Sequence, residues 1–429
     1  MGCPYRFGPE KHVATQPLIP YIDPNRFEWE ASLSEKKFLK RSATLALSIS
    51  LLAFSFTHSQ TAVQLHGQLH VQGTHILDKN NQVVQFRGMA LYWSNSAQSK
   101  YYTGATVKWI RDDWHCNIVR ASMGVRPLGG TAGYIASPAV EKAKVDSVVQ
   151  AAIALGMYVV IDWHETANGN DYLAESKDFF TKMATAYHSY PNVIYELWNE
   201  PLNTHPWATV IKPYHEAIIP VIRAIDPNNL ILCGSKSWDQ DVDEASKNPI
   251  TISTNIIYTL HFYAATHKQS LRDKADTAIK YGLPLMVTEG GLSSSSGNGT
   301  IDTAEMRRWV NFMDQRGISW MNWSVAGLTE TSAALTSAAS GSGNWTTAQI
   351  SGSGTWVRNE IRAKNAAVTA IFTPRKFSSR GLAPGLEIFD LRGDRVGATG
   401  PSTTLRDHGL PLRDAALHGP VLFSIPAHP

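Results

Sequence analysis

A (β/α)₈ TIM barrel is the fold this sequence predicts, and three observations predict it. Apolar, strand-like runs recur eight times between residues 83 and 325, and stretches with helical periodicity lie between most of them. This alternation fills a span of about 250 residues, the usual size of one such barrel. The polar residues stand at the ends of the runs, which is where a barrel of this kind carries its working side chains.

Taken in order, the runs are 83–91, 117–124, 158–164, 193–200, 230–235, 256–263, 285–289 and 319–325. The helical patterns are 105–114, 137–155, 174–187, 214–224, 271–281 and 303–315, and a closing helix is expected over 355–362. Pro138 opens the second pattern, at a position whose N–H would be unpaired in any case. Ahead of the barrel, residues 64–88 alternate Leu69 and Val71, then Ile76, then Val83 and Val84 around Asp78-Lys79-Asn80-Asn81-Gln82. That is the turn chemistry of a β-hairpin, expected at the N-terminal face, the barrel bottom.

The flanks differ in composition from the barrel segment, 63–365. Residues 1–62 read as a leader with a secretory signal: Lys36, Lys37, Lys40 and Arg41 precede an apolar core at 43–56, and small polar residues follow. The core is short and broken by Ser48, Ser50 and Ser55, a poor bilayer span. A secreted, extracellular protein without stable membrane association is therefore expected, with a retained signal anchor as the alternative. No Met falls between Met1 and Met89, so either the basic leader is unusually long or upstream sequence is attached to it. Residues 366–429 are rich in Pro, Gly and Arg and hold no Trp or Tyr. They read as a disordered tail that lacks the aromatic platform of a carbohydrate-binding module.

Charge and cysteine content narrow the classes further. The 39 Lys and Arg nearly balance 36 Asp and Glu without a basic stripe, which argues against a nucleic-acid partner. Cys3, Cys116 and Cys233 are too few and too scattered for a disulfide framework or a zinc knuckle. Cys116 and Cys233 fall in or beside apolar runs and read as buried small hydrophobes.

The strand ends are unusually polar: Arg120 on the second run, Asp162-Trp163-His164 on the third, and Asn199-Glu200 before Pro201 on the fourth. The sixth ends His261-Phe262-Tyr263, the seventh Glu289 before two glycines, and the eighth Asn322-Trp323-Ser324. Two strand-end glutamates facing one crevice are the minimum for hydrolysing a glycosidic bond, one as proton donor and the other as nucleophile or base. The plainer reading makes Glu200 a helix cap and Glu289 a salt-bridge partner of Arg120. In the catalytic reading, Arg120 keeps one carboxylate ionised while burial raises the other. A third reading joins His164 and His261 with Asp162, Glu200 and Glu289 as metal ligands, but the first run ends Gly88-Met89-Ala90-Leu91 without a ligand. Trp323 is expected to face the cavity and Trp320 the opposite side.

These motifs taken together are similar to those of glycoside hydrolase family 5, and in particular to secreted endo-β-1,4-glucanases of bacteria and plant-parasitic nematodes. The motifs are Ile118-Val119-Arg120-Ala121, Ile161-Asp162-Trp163-His164, Tyr195-Glu196-Leu197-Trp198-Asn199-Glu200-Pro201, Leu260-His261-Phe262-Tyr263, Val287-Thr288-Glu289 and Asn322-Trp323-Ser324, with 88–94 and 237–242 in support. The resemblance covers roughly 62–364 and implies a retaining enzyme, without metal or cofactor, acting on a β-glucan polysaccharide and expected to be a monomer. It implies that Glu200 is the general acid/base, Glu289 the nucleophile, and Arg120 and Tyr263 the groups that orient Glu289. His261 would neighbour the carboxylates, Asn199 and His164 would bind hydroxyls at the cleavage point, and Trp323 would floor that sugar. Trp93 and Trp238 are candidate platforms for sugars further out.

Two positions depart from the family. Gly290 stands where an aromatic usually follows the nucleophile, and an enlarged pocket is expected there. Leu328 stands where a sugar-binding Lys usually lies. A preference for mannan, xylan or xyloglucan, or a non-catalytic glucan-binding relic, remains open at this point.

Overall fold

The computed structural model describes residues 60–128 and 130–365 in full, and beyond them only the backbone of short strands. Those strands are Phe54–His58 paired with Ala370–Pro374, and a three-stranded sheet of Glu387–Phe389, Arg395–Ala398 and Leu422–Ser424. Otherwise the leader with its apolar core at 43–56, Cys3 and the tail from 366 lie outside the described residues. Among the described residues no helix is long and apolar enough to cross a membrane.

Eight parallel strands close into a barrel, in chain order around the ring. They are β1 Arg87–Leu91, β2 Ile118–Gly124, β3 Tyr158–His164, β4 Val193–Glu196, β5 Ile231–Cys233, β6 Ile256–Tyr263, β7 Leu285–Gly291 and β8 Trp320–Val325. The helices outside the ring are α1 Gly104–Asp112, α2 Pro138–Leu155, α3 Leu173–Tyr187, α4 Lys212–Arg223, α5 Val242–Ser246, α6 Gln269–Lys280, α7 Thr303–Arg316 and α8 Gly352–Lys364. Local chemistry sets their limits. Pro138 starts α2, and Gly156 ends it in the left-handed conformation. The Asp302 side chain accepts the Glu305 N–H at the start of α7, as Ser351 accepts that of Gly354 in α8.

The sequence places strand and helix segments well and their ends less well. The fourth run was expected to extend to Glu200, but β4 stops at Glu196. Leu197 still donates to the Leu232 carbonyl, after which Asn199 and Glu200 donate to the carbonyls of Trp163 and Glu165. The backbone bonds have passed from one neighbouring strand to the segment after the other, while the Glu200 side chain reaches His261 on β6. The hairpin likewise has a tighter turn than expected: His70–Gln72 pairs with His75–Leu77 across Gly73 and Thr74. The Asn-rich stretch makes a second reversal, closed by the Asp78 N–H on the Gln82 carbonyl.

Alternation along the strands divides the core in two. One set, including Ile118, Val160, Ile194, Leu232, Ile257 and Met321, fills the lower barrel together with Leu69 and Ile76 of the hairpin segment. The hairpin thus closes the bottom, and the polar ends of the same strand faces open at the top. Cys116 and Cys233 are buried and unpaired, packed in the outer layer between strands and helices. Trp320 is buried in that outer layer, while Trp323 joins Ala90 and Tyr263 at the mouth.

Candidate active site

Glu200 and Glu289 meet across one crevice of about 580 Å³ together with His261 and Tyr263. One carboxylate oxygen from each glutamate and a nitrogen of His261 lie within 4.8 Å of one another. Strand alternation alone does not bring Glu289 there. Met286 faces the barrel interior, which puts Thr288 inside and would turn Glu289 out. A register shift between Met286 and Glu289 against β6 inserts an extra residue, so that Thr288 and Glu289 both reach the pocket.

Arg120, fully buried, ties the site together. Its Nε and Nη2 donate to the two oxygens of Glu196 at 2.7 and 3.1 Å, and Nη2 also reaches Asn199 Oδ1 at 2.6 Å and Asp162 Oδ2 at 2.9 Å. Nη1 reaches Glu289 Oε2 at 3.2 Å, and the Tyr263 hydroxyl donates to Glu289 Oε1 at 2.6 Å. The expected contact of Arg120 with Glu289 is present, and its charge favours the ionised carboxylate, but it is not the only partner of Arg120. Its shorter contacts go to Glu196 and Asp162, and burial, reinforced by Glu200, raises the Glu289 carboxyl above the ordinary value. Burial also opposes the charge on Arg120 itself, but Asp162, Glu196 and Glu289 overcome this and hold it protonated. Burial pushes Glu200 up to about 7, and its side chain keeps 17% exposure on the crevice.

Both histidines are neutral, because burial drives His261 down to about 4 and His164 well below its usual value. His164 Nδ1 lies 2.6 Å from Asp162 Oδ2. With Nδ1–H spent on that carboxylate, Nε2 is left as an acceptor toward the pocket. The Nδ2 of Asn199 is buried and has no protein partner, which leaves a donor for a ligand hydroxyl. Trp323 stacks on His164 with ring planes 1° apart, and Trp93 meets the same histidine edge-on. These aromatics form one wall of the site with Tyr92 and Glu330. Trp238 stands on the other side, 40% exposed, beside Asn203 and Gln240. It sits in an unusual backbone: Ser237, Trp238 and Asp239 have φ of 60°, 55° and 61°, three consecutive non-glycine residues in the left-handed region.

Residues 77–327 match the model of the family described as cellulase, glycosyl hydrolase family 5. The chain is 40% identical over 346 residues to an endoglucanase of Clostridium saccharobutylicum, covering 78% of this chain and 75% of that one. The chain belongs to glycosyl hydrolase family 5. A solved structure from Cytophaga hutchinsonii is 45% identical with a TM-score of 0.69, covering 71% of this chain and 98% of that one. The catalytic domain of a Thermobifida fusca endoglucanase, solved with cellotetraose, is 30% identical with a TM-score of 0.66 over 70% of this chain and 99% of that one.

Within this family 5 hydrolase the two sequence departures look different once placed. Gly290 does not open the pocket. A Cβ there would lie 2.9 Å from Phe262 Cε1 and 3.3 Å from Val287 Cγ1, because the residue faces the outer layer where Phe262 stacks on Trp309. Leu328 lines a neighbouring groove with Thr300 and Thr329, outside the crevice that holds the glutamates. Glu330, two residues on, borders both spaces.

Glu196, Thr288 and Asp239 were not assigned roles from sequence, although all three are fully buried in the site. A signal existed for Glu196: a charged residue inside the apolar run Val193-Ile194-Tyr195-Glu196-Leu197 needs a buried partner, and Arg120 is that partner. Thr288 and Asp239 gave none, since Thr is ordinary in strands and Asp ordinary in loops.

Proposed function

We propose that this family 5 hydrolase is a secreted endo-β-1,4-glucanase that cuts internal bonds of cellulose or a related β-glucan by double displacement. The observation that carries the mechanism is the approach of Glu200 and Glu289 oxygens within 4.8 Å. Oxygens this close draw the two carboxyl groups toward the about 5–5.5 Å of retaining enzymes, away from the about 6.5–9.5 Å at which inverting ones seat a water between them. In the first step Glu289 attacks the anomeric carbon while Glu200 gives its proton to the departing glycosidic oxygen. In the second, Glu200 takes a proton from water, which attacks the same carbon and releases Glu289. The β-glucan preference is supported by the relatives' names and by the cellotetraose bound to the Thermobifida protein. Secretion rests on the basic and apolar pattern of residues 36–62.

Reducing-sugar release from a panel of soluble β-glucans, mannan and xylan tests the reading, with EDTA in a parallel tube. We expect the highest rate on an unbranched β-1,4-glucan and no loss in EDTA. Mannan or xylan as the preferred polymer would transfer the assignment to that substrate. Binding of glucan without release of sugar would make the protein a relic, and full loss in EDTA would place a metal at the Glu200, His261 and Glu289 cluster.

The pH profile follows from which form each glutamate must hold. Glu200 has to be protonated, so kcat/KM is expected to fall as pH rises through about 7. Glu289 has to be ionised, and its raised carboxyl puts the acidic limb above the ordinary carboxylate range. A kcat/KM that does not fall between pH 6 and about 9 would contradict the assignment of Glu200.

A further inference from the structure

We infer that Thr288 is a positioning residue that fixes the tautomer of His261 and so keeps the proton on Glu200. The argument is one of counting donors. Both oxygens of Glu196 accept guanidinium N–H groups from Arg120, so Glu196 is an ionised acceptor. Thr288 Oγ1 lies 2.7 Å from Glu196 Oε1 and 2.8 Å from His261 Nε2. Thr288 has one hydroxyl proton, and Glu196 can only accept, so the proton points to Glu196. Thr288 must then accept from His261, which places the imidazole hydrogen on Nε2.

The opposite nitrogen, Nδ1, is left with a lone pair 2.9 Å from Glu200 Oε1. Two acceptors cannot share a hydrogen bond, so Glu200 must bring the proton. A hydrogen bond made by the neutral acid favours that form, and the carboxyl holds its proton until a glycosidic oxygen competes for it. The chain thus runs from Arg120 through Glu196, Thr288 and His261 to Glu200, crossing from β2 to β4, β7, β6 and the loop after β4.

Other charges face this chain. Glu289 on β7, Arg120 on β2 and His164 on β3 all act on His261, and Asp162 on β3 interacts with Glu200. His267 after β6 lies beside His261, and the Tyr263 hydroxyl is engaged by Glu289. Asp239 Oδ2 also approaches Nε2, at 3.4 Å. It accepts the Thr259 hydroxyl at 2.6 Å and the Ser235 N–H at 2.5 Å, and as an acceptor beside Nε2 it too favours the imidazole hydrogen on that nitrogen.

The inference rests on Glu200 as the proton donor, and the experiment separates the two. Thr288→Val removes the hydroxyl at nearly constant shape and frees His261 to carry its hydrogen on Nδ1, donating to ionised Glu200. The basic limb of kcat/KM is then expected to move down by about one pH unit, with kcat on glucan reduced about tenfold and KM unchanged. Thr288→Ser is expected to restore both. ¹⁵N spectra of histidine-labelled wild-type protein, assigned through His261→Gln, should show His261 protonated on Nε2.

A folded Thr288→Val protein with an unmoved basic limb would overturn the inference, as would a wild-type spectrum showing Nδ1–H. Should the valine variant fail to fold, the wild-type spectrum alone decides. Glu200→Gln tests the donor role independently. It should lose far more activity on glucan than on an aryl cellobioside whose leaving group needs no proton, and equal losses would sink the donor reading while leaving the tautomer result intact.

Discussion

Glu289→Gln is expected to lower the rate of glucan hydrolysis by about 10⁴-fold or more while the protein remains folded. The two side chains have nearly the same shape, and the amide oxygen can still accept from the Tyr263 hydroxyl, which donates to Glu289 at 2.6 Å. What the amide cannot do is form the glycosyl bond. The loss should therefore appear in kcat rather than in KM, because ground-state contacts with the sugar remain. Glu289→Ala offers a sharper form of the same test. With a cavity in place of the carboxylate, added azide can attack the anomeric carbon from the vacated side and yield an inverted glycosyl azide. Residual activity of a few per cent in the glutamine variant, or an azide product of retained configuration, would remove Glu289 from the nucleophile's role.

Arg120→Ala should be the most destabilising single change in the site. The side chain has no exposed surface and contacts Asp162, Glu196 and Glu289 at 2.9, 2.7 and 3.2 Å. Removing the cation leaves three neighbouring carboxylates in a buried space with no guanidinium among them, and breaking a buried ion pair in this way costs about 3–5 kcal/mol. The sequence pointed only to its contact with Glu289, which gave no reason to expect a large effect on stability. A lowered denaturation midpoint is now expected alongside loss of turnover. Arg120→Lys keeps the charge but cannot serve both Glu196 oxygens at once, so it should recover part of the stability and little of the activity. An alanine variant that melts with the wild type would show that the carboxylates take up protons at no cost.

How far the sequence could be read depended on what kind of signal each residue carries. Eight strand runs were visible because buried parallel strands are written as continuous apolar stretches, and the polar ends beyond them marked the mouth. Glu200, Glu289, His261 and Arg120 were legible as unusual residues at such ends. The partition of Arg120 among three acids was not, because it depends on which strands become neighbours after the barrel closes. The inward turn of both Thr288 and Glu289 was hidden for another reason: a register shift adds a residue without leaving a pattern of its own. Gly290 illustrates the cost of reading a position by comparison alone. The absence of a side chain suggested space beside Glu289, yet the residue faces Phe262, where the ring leaves no room for a Cβ.

The left-handed turn at Ser237, Trp238 and Asp239 stores backbone strain at the edge of the crevice. Each non-glycine residue held there costs roughly 1–2 kcal/mol relative to ordinary backbone. Glycine would relieve that strain at any of the three positions. At Trp238 the same change would strip the exposed ring from the crevice, and at Asp239 it would delete the acid that anchors Ser235 and Thr259. Only Ser237 is free to yield, at the loss of one hydrogen bond to Asp241. Ser237→Gly is therefore the change in this loop expected to raise the melting temperature while the Trp238 ring and the Asp239 anchor stay in place.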